Sequence, residues 1–314
     1  MSRDIVKIIS PAEFRTLFKS SSPQKRVIAL DSTCYLPNSP KDGLAQFLNE
    51  DRLPNASYID IDVLALPGSK YPHMLPTASI FKKVISEMGI LKTDRLVLYD
   101  RTPNFSSPRA AWSLLLFGHK EVYLLDNYVK YKQEGYPIDN SKISSPPKLS
   151  TGADYETIPE EQIIKRYHDQ VITFEELLSL VESGNLAKDY YFFDARTHER
   201  FTGKGPEPRP ELSSGHIESS LNLPAGQVLN ADRTFKLKKE LLELFKTRFD
   251  LDLSKPDLNG KKGIIVLCGT GVTAVILKLA IESVIGADVP IRVYDGSWTE
   301  WTQRAPAKYI VKDA

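Results

Sequence analysis

Cysteine is scarce in this chain of 314 residues: there are two, Cys34 and Cys268. They are far apart, match no metal-ligand spacing and cannot form a disulfide framework, so a reducing compartment is expected. Excess charge is also lacking. Lys and Arg number 41 against 40 Asp and Glu, a net +1, which leaves no electrostatic footprint for nucleic acid or an anionic membrane. No apolar run approaches the roughly 20 residues that cross a bilayer. No signal peptide precedes the sequons at Asn55 and Asn104, which are therefore read as chance matches. The opening "IVKIISPAEFRTLFKS" contains Glu13 and reads as a strand, a Ser10 cap and a helix, so a mitochondrial presequence is disfavoured. Cytoplasmic residence is the expectation, with mitochondria as a second compartment.

What is present is an ordinary globular composition, 41% hydrophobic and 26% charged, with enough chain for two cores. The second half repeats the plan of the first in five matches of the same order. "DIVKIISPAEF" at Asp4 pairs with "DQVITFEEL" at Asp169, and "VIALDST" ending at Thr33 with "YFFDART" ending at Thr197. "NASYIDIDVL" pairs with "ESSLNLPAGQVL", "RLVLYD" with "IIVLCG", and "HKEVYLLDNYVKY" from His119 with "VPIRVYDGSWTEW" from Val289. Apolar strands alternating with helical patterns predict an α/β fold, each copy a mostly parallel sheet flanked by helices. The expected domains are 1–145 and 169–314, joined by a Ser-, Pro- and acid-rich linker over 146–168.

The copies differ at one strand end. Asp100 closes "RLVLYD" where Cys268 follows "IIVL". Reactive groups in open α/β sheets lie at the carboxyl ends of strands, where loops meet helix N-termini. Gly269 and Gly271 let the loop Cys268–Thr273 turn its N–H groups inward, and the helix that follows adds partial positive charge. Both favour a thiolate and make Cys268 a nucleophile near neutral pH. Three other readings compete. The first is a packed cysteine in a turn. The second takes "GTGVTA" as a dinucleotide fingerprint with Asp295 following, but too little chain remains for the unit such a fingerprint opens. A phosphatase Cys-x5-Arg loop fails because position 274 is Ala.

Taken with "YPHMLP", "FSSPRAAW", "GKGPEPRPELSSGHIESSLNLP" and "YDGSWTEW", the loop "CGTGVTA" resembles the tandem-rhodanese family of 3-mercaptopyruvate and thiosulfate sulfurtransferases over nearly the whole chain. "NFSSPR", "VYLLDN" and "YDGSWTEW" resemble its fungal branch, which serves tRNA thiolation. The resemblance implies an inactive first domain and a catalytic second one. Cys268 then takes sulfur from 3-mercaptopyruvate as a persulfide, releases pyruvate and passes the sulfur to a thiol: a small thiol, a thioredoxin-like protein or a sulfur-relay protein.

The same resemblance implies substrate binding by Arg200 ("ERF") and Arg209 ("PEPR"), with Gly269, Gly271, Val272 and Thr273 forming the sulfur cradle. Guanidinium suits a carboxylate through its planar fork, although Arg209 in a Pro-rich loop reads equally as a solvated surface residue. A Ser-His-Asp relay maps to Thr270, His73 and Asp62, with a helix cap as the alternative reading of Asp62 and simple packing that of His73. His216 in "SGHI" is read as structural. No metal and no organic cofactor are expected.

Thiosulfate-preferring members carry Arg and Lys after the cysteine; Gly269 and Thr270 stand there in this chain, which favours a monoanionic keto acid. The runner-up reading is a protein-to-protein persulfide relay with little small-molecule turnover, and a third is thiosulfate sulfurtransferase.

Overall fold

The computed structural model describes residues 4–313. They form two compact units. The first runs to Gly68 and takes in Leu75–Ile164 and Asp232–Thr234. The second takes in Ser69–Met74, Lys165–Ala231 and the chain from Phe235 on.

In the first unit, β1 (Lys7–Ile9), β2 (Val27–Asp31), β3 (Ser57–Tyr58), β4 (Arg95–Tyr99) and β5 (Val122–Leu125) form one sheet in the order β1-β5-β4-β2-β3. Every pairing is parallel, with Ala29 opposite Val97 and Val97 opposite Tyr123. Its helices are α1 (Pro11–Lys19), α2 (Gly43–Asn49), α3 (Ala78–Met88), α4 (Ser107–Leu116) and α5 (Tyr128–Gln133). The Ser10 cap and Glu13 close a capping box at the start of α1, which fixes where the strand ends and the helix begins. Phe14, Val27, Ala29, Phe47, Val97 and Tyr131 fill one side of the sheet.

The sheet of the second unit has the corresponding order, β6-β11-β10-β7-β9, and is again parallel throughout. Its strands are β6 (Val171–Ile172), β7 (Tyr190–Asp194), β9 (Leu221–Asn222), β10 (Gly263–Leu267) and β11 (Ile291–Tyr294). A separate antiparallel pair joins β8 (His216–Ile217) to β12 (Ile310–Val311). The helices are α6 (Glu160–Gln170), which begins before the unit, α7 (Phe174–Glu182), α8 (Leu186–Asp189), α9 (His198–Thr202), α10 (Lys238–Phe249), α11 (Ala274–Leu279) and α12 (Ser297–Arg304). Phe192, Ile265, Leu267, Tyr294, Trp298 and Trp301 belong to one buried cluster. After α11 the helix widens into a π-turn over Ala280–Ile285. All of α11 is buried, and its one charge, Lys278, is paired with Glu282 at 2.7 Å.

Two segments depart from the expected division. The stretch expected as a linker is strapped to the first unit. Leu149 donates to the Met88 carbonyl and Ser57 to the Pro147 carbonyl, while Tyr155 is buried with its hydroxyl 3.0 Å from His119 Nδ1. Isolated anchors such as Tyr155 and Ile158 bury without any periodicity, so a pattern search does not register them. Residues 69–74, sequentially within the first copy, group with the second unit and carry His73 with them.

Candidate active site

Because β7, β10 and β11 are adjacent and parallel, their carboxyl ends deliver three loops to one edge of the second sheet. Cys268 follows β10 and is 2% exposed. The residues after β11 hold its loop in place. Cys268 N–H donates to Ser297 Oγ at 3.2 Å, and that hydroxyl donates to the Tyr294 carbonyl at 2.7 Å. Trp298 N–H donates to the Cys268 carbonyl at 3.0 Å. Thr299 donates to the Gly269 carbonyl twice, from N–H at 3.0 Å and from Oγ1 at 2.8 Å. Ser297 adopts a left-handed φ of 51° to make this fit, a conformation that costs about 1 kcal/mol or more for a residue with a Cβ.

The first two carbonyls of the loop are thus engaged by α12. Gly271 turns the chain at φ 73°, and Thr270 and Val272 are buried. Among the described residues, the N–H groups of Gly269, Thr270, Val272 and Thr273 donate to no carbonyl or side chain. Several N–H groups turned into one bend of the chain suit an anion, which accepts from all of them at once. Thr273 stands at the N-cap of α11 without a side-chain capping bond.

The matching loop of the first unit shows such amides engaged. Asp100, which follows β4, is 2% exposed, and its Oδ2 accepts from the N–H groups of Phe105, Ser106 and Ser107 at 3.0, 2.8 and 2.7 Å. Burial pushes its carboxyl above the ordinary range despite these bonds.

Positive charge reaches the cysteine loop from α9. Arg200 Nη2 stands 3.0 Å from where a Cβ on Gly269 would lie, so the uncharged loop has a guanidinium against it. Arg200 Nε donates to Glu207 Oε2 at 3.0 Å, and Glu207 Oε1 accepts from the buried Arg196 at 2.9 Å. Arg196 in turn grips Asp194 at the end of β7 and stacks 4.0 Å from the Trp298 ring centroid. Arg209 lies in the next turn, half-buried, and its guanidinium forms no hydrogen bond or ion pair among the described residues.

His73 Nδ1 lies 3.1 Å from Thr270 Oγ1, joining two of the three expected relay residues. His73 holds this place at a left-handed φ of 63°. Asp62 belongs to the first unit, where it is exposed and its N–H donates to Asp60 in a turn. His216 is packed, stacked at 4.0 Å on Phe201 with Nδ1 3.0 Å from that residue's carbonyl. Sequence reasoning passed over Arg196, Glu207, Ser297 and Thr299. Arg196 lies in "YFFDART", Glu207 in "PEPR" and Ser297 and Thr299 in "YDGSWTEW", all motifs already singled out, and an acid between arginines is the signal that could have been followed.

The model of the rhodanese-like domain matches residues 173–304. The chain is 40% identical to thiosulfate sulfurtransferase TUM1 of Saccharomyces cerevisiae, covering 98% of both proteins. This chain belongs to the rhodanese-fold thiosulfate/3-mercaptopyruvate sulfurtransferases. It is 36% identical to a probable 3-mercaptopyruvate sulfurtransferase of Schizosaccharomyces pombe, over 92% of this chain and 91% of that one. The crystal structure of Tum1 from S. cerevisiae superposes with a TM-score of 0.83 at 37% identity, covering 98% of each chain. The protein is therefore a sulfur-transferring enzyme, and no helix among its described residues is long and apolar enough to cross a membrane.

Proposed function

We propose that this sulfurtransferase takes sulfur from 3-mercaptopyruvate through Cys268, in a catalytic domain formed by the second copy, the first copy being inactive. The supporting observation is the Cys268 loop itself: a buried cysteine, amides on Gly269, Thr270, Val272 and Thr273 that donate to no described residue, and the Arg200 guanidinium against Gly269. The Cys268 thiolate attacks the substrate sulfur, the carbon–sulfur bond breaks, and its electron pair leaves with the pyruvate enolate, which is then protonated. Cys268 keeps the transferred sulfur as a persulfide, stabilised by the cradle amides and the helix start. A thiolate acceptor attacks the outer sulfur and restores Cys268, a ping-pong cycle.

Arg200 binds the substrate carboxylate through the fork edge that Glu207 leaves unused, and the guanidinium of Arg209, which has no partner among the described residues, binds the remaining oxygens. The Thr270 hydroxyl and His73 move the proton between substrate thiol and enolate. Asp62 enters this relay on the family resemblance. So does service to tRNA thiolation, which would make the acceptor a sulfur-relay protein rather than RNA. Residence in the cytoplasm and mitochondria is part of the proposal; it accords with two free cysteines.

Thiosulfate is the second reading, favoured by the name of the S. cerevisiae relative. Parallel steady-state assays separate the two. A kcat/KM for 3-mercaptopyruvate at least about tenfold above that for thiosulfate is expected from an uncharged loop facing a monoanion. Equal values, or a preference for thiosulfate, would overturn the substrate assignment.

A further inference from the structure

The second unit holds a row of four alternating charges, Asp194, Arg196, Glu207 and Arg200, the first three buried and the last partly exposed. Charges taken out of water persist only when each is paired with good geometry, and here every member is. The row has a fixed end and an adjustable end. Arg196 is held without Glu207, because its Nε meets both Asp194 oxygens at 3.0 Å, its Nη2 donates to the Gly215 carbonyl at 2.6 Å, and its guanidinium lies on Trp298. Arg200 has no such second hold. Among the described residues its side chain is hydrogen-bonded to Glu207 alone, through Nε at 3.0 Å and Nη2 at 2.5 Å.

Glu207 thus transmits the rigid position of Arg196 to Arg200. Its side chain is 2% exposed, with one carboxylate oxygen on each arginine. The bond through Nε and Nη2 fixes the rotation of the guanidinium about its stem. That rotation sets Nη2 3.0 Å from the Cβ position of Gly269. A long arginine that is 20% exposed would otherwise sample many rotamers, at a cost in free energy whenever substrate had to order it.

We infer that Glu207 is a positioning residue for the reaction: it pre-orients Arg200 toward the substrate carboxylate and touches no substrate itself. The inference rests on the reading that Arg200 binds that carboxylate.

The test is a double-mutant comparison in the full chain with Glu207→Gln, Arg200→Ala and both together, assayed for kcat and KM with 3-mercaptopyruvate. Glu207→Gln alone is expected to raise KM about tenfold, the scale of one lost charge-assisted hydrogen bond, with kcat changed less than about twofold. In the Arg200→Ala background the same replacement should add nothing. An equal rise in KM with and without Arg200 would overturn the inference, because Glu207 would then act by another route. Should Glu207→Gln fail to fold, Glu207→Asp, which keeps the charge and retracts it by one methylene, serves in the same comparison. If Arg200→Ala leaves KM unchanged, the reading of Arg200 falls, and with it the inference. That outcome is distinct from a case in which Arg200 matters and Glu207 does not.

Discussion

His73 and Thr270, 197 residues apart in the chain, meet at 3.1 Å between Nδ1 and Oγ1. A histidine held at a left-handed φ of 63° is a strained choice, tolerated by few residue types. In the proposed mechanism this pair passes a proton between substrate thiol and enolate. Thr270→Val, which keeps the shape and removes the hydroxyl, should lower kcat with 3-mercaptopyruvate by about a hundredfold, the low end of general acid–base catalysis. Thr270→Ser should stay near the parent rate. Equal losses in both variants would assign the effect to packing and remove the relay.

The two loops at matching strand ends differ in what engages their amides, and Asp100 provides the control. Asp100→Ala leaves three N–H groups of the first unit without an acceptor and should cost about 2 kcal/mol in urea unfolding. Sulfate should then raise the unfolding midpoint of the variant by more than that of the parent, by occupying the vacated amides. The same sulfate response in both proteins would mean that this loop is no anion cradle.

Asp31 supplies a pH-dependent test of the first unit. Burial pushes its carboxyl up to about 6 from an ordinary 3.8, against the lowering effects of Thr33 and Arg101. The folded state therefore binds this proton more tightly than the unfolded chain does. The resulting stabilisation is complete below about pH 3.8 and is lost as pH rises through about 6. Relative to Asp31→Asn, which does not titrate, the parent should lose about 3 kcal/mol between those limits. Urea titrations of both proteins across that range measure the difference, and a difference independent of pH would contradict the burial argument.

Much of the fold was legible because its signals are local. Each of the five sequence matches lands on corresponding strands of the two sheets, from β1 with β6 to β5 with β11. Cys268 was legible for the same reason, an apolar strand followed by glycines and a helix start. The supports of the site were not. Ser297 and Thr299 act on Cys268 and Gly269 from the end of a neighbouring strand, and their spacing carries no trace of that contact. Glu207 looked like one acid in a Pro-rich loop until Arg196 and Arg200 were seen on its two oxygens. The strap at Leu149–Ile158 was obscured because a few buried anchors need no repeat.

The central claim is that Cys268 carries the transferred sulfur. Mass spectrometry of the protein after brief exposure to 3-mercaptopyruvate, with no thiol acceptor present, tests it directly. One added sulfur on the peptide bearing Cys268, matched by one pyruvate per chain and absent from Cys268→Ser, is the predicted result. Sulfur on Cys34, or pyruvate release with Cys268 unmodified, would contradict it.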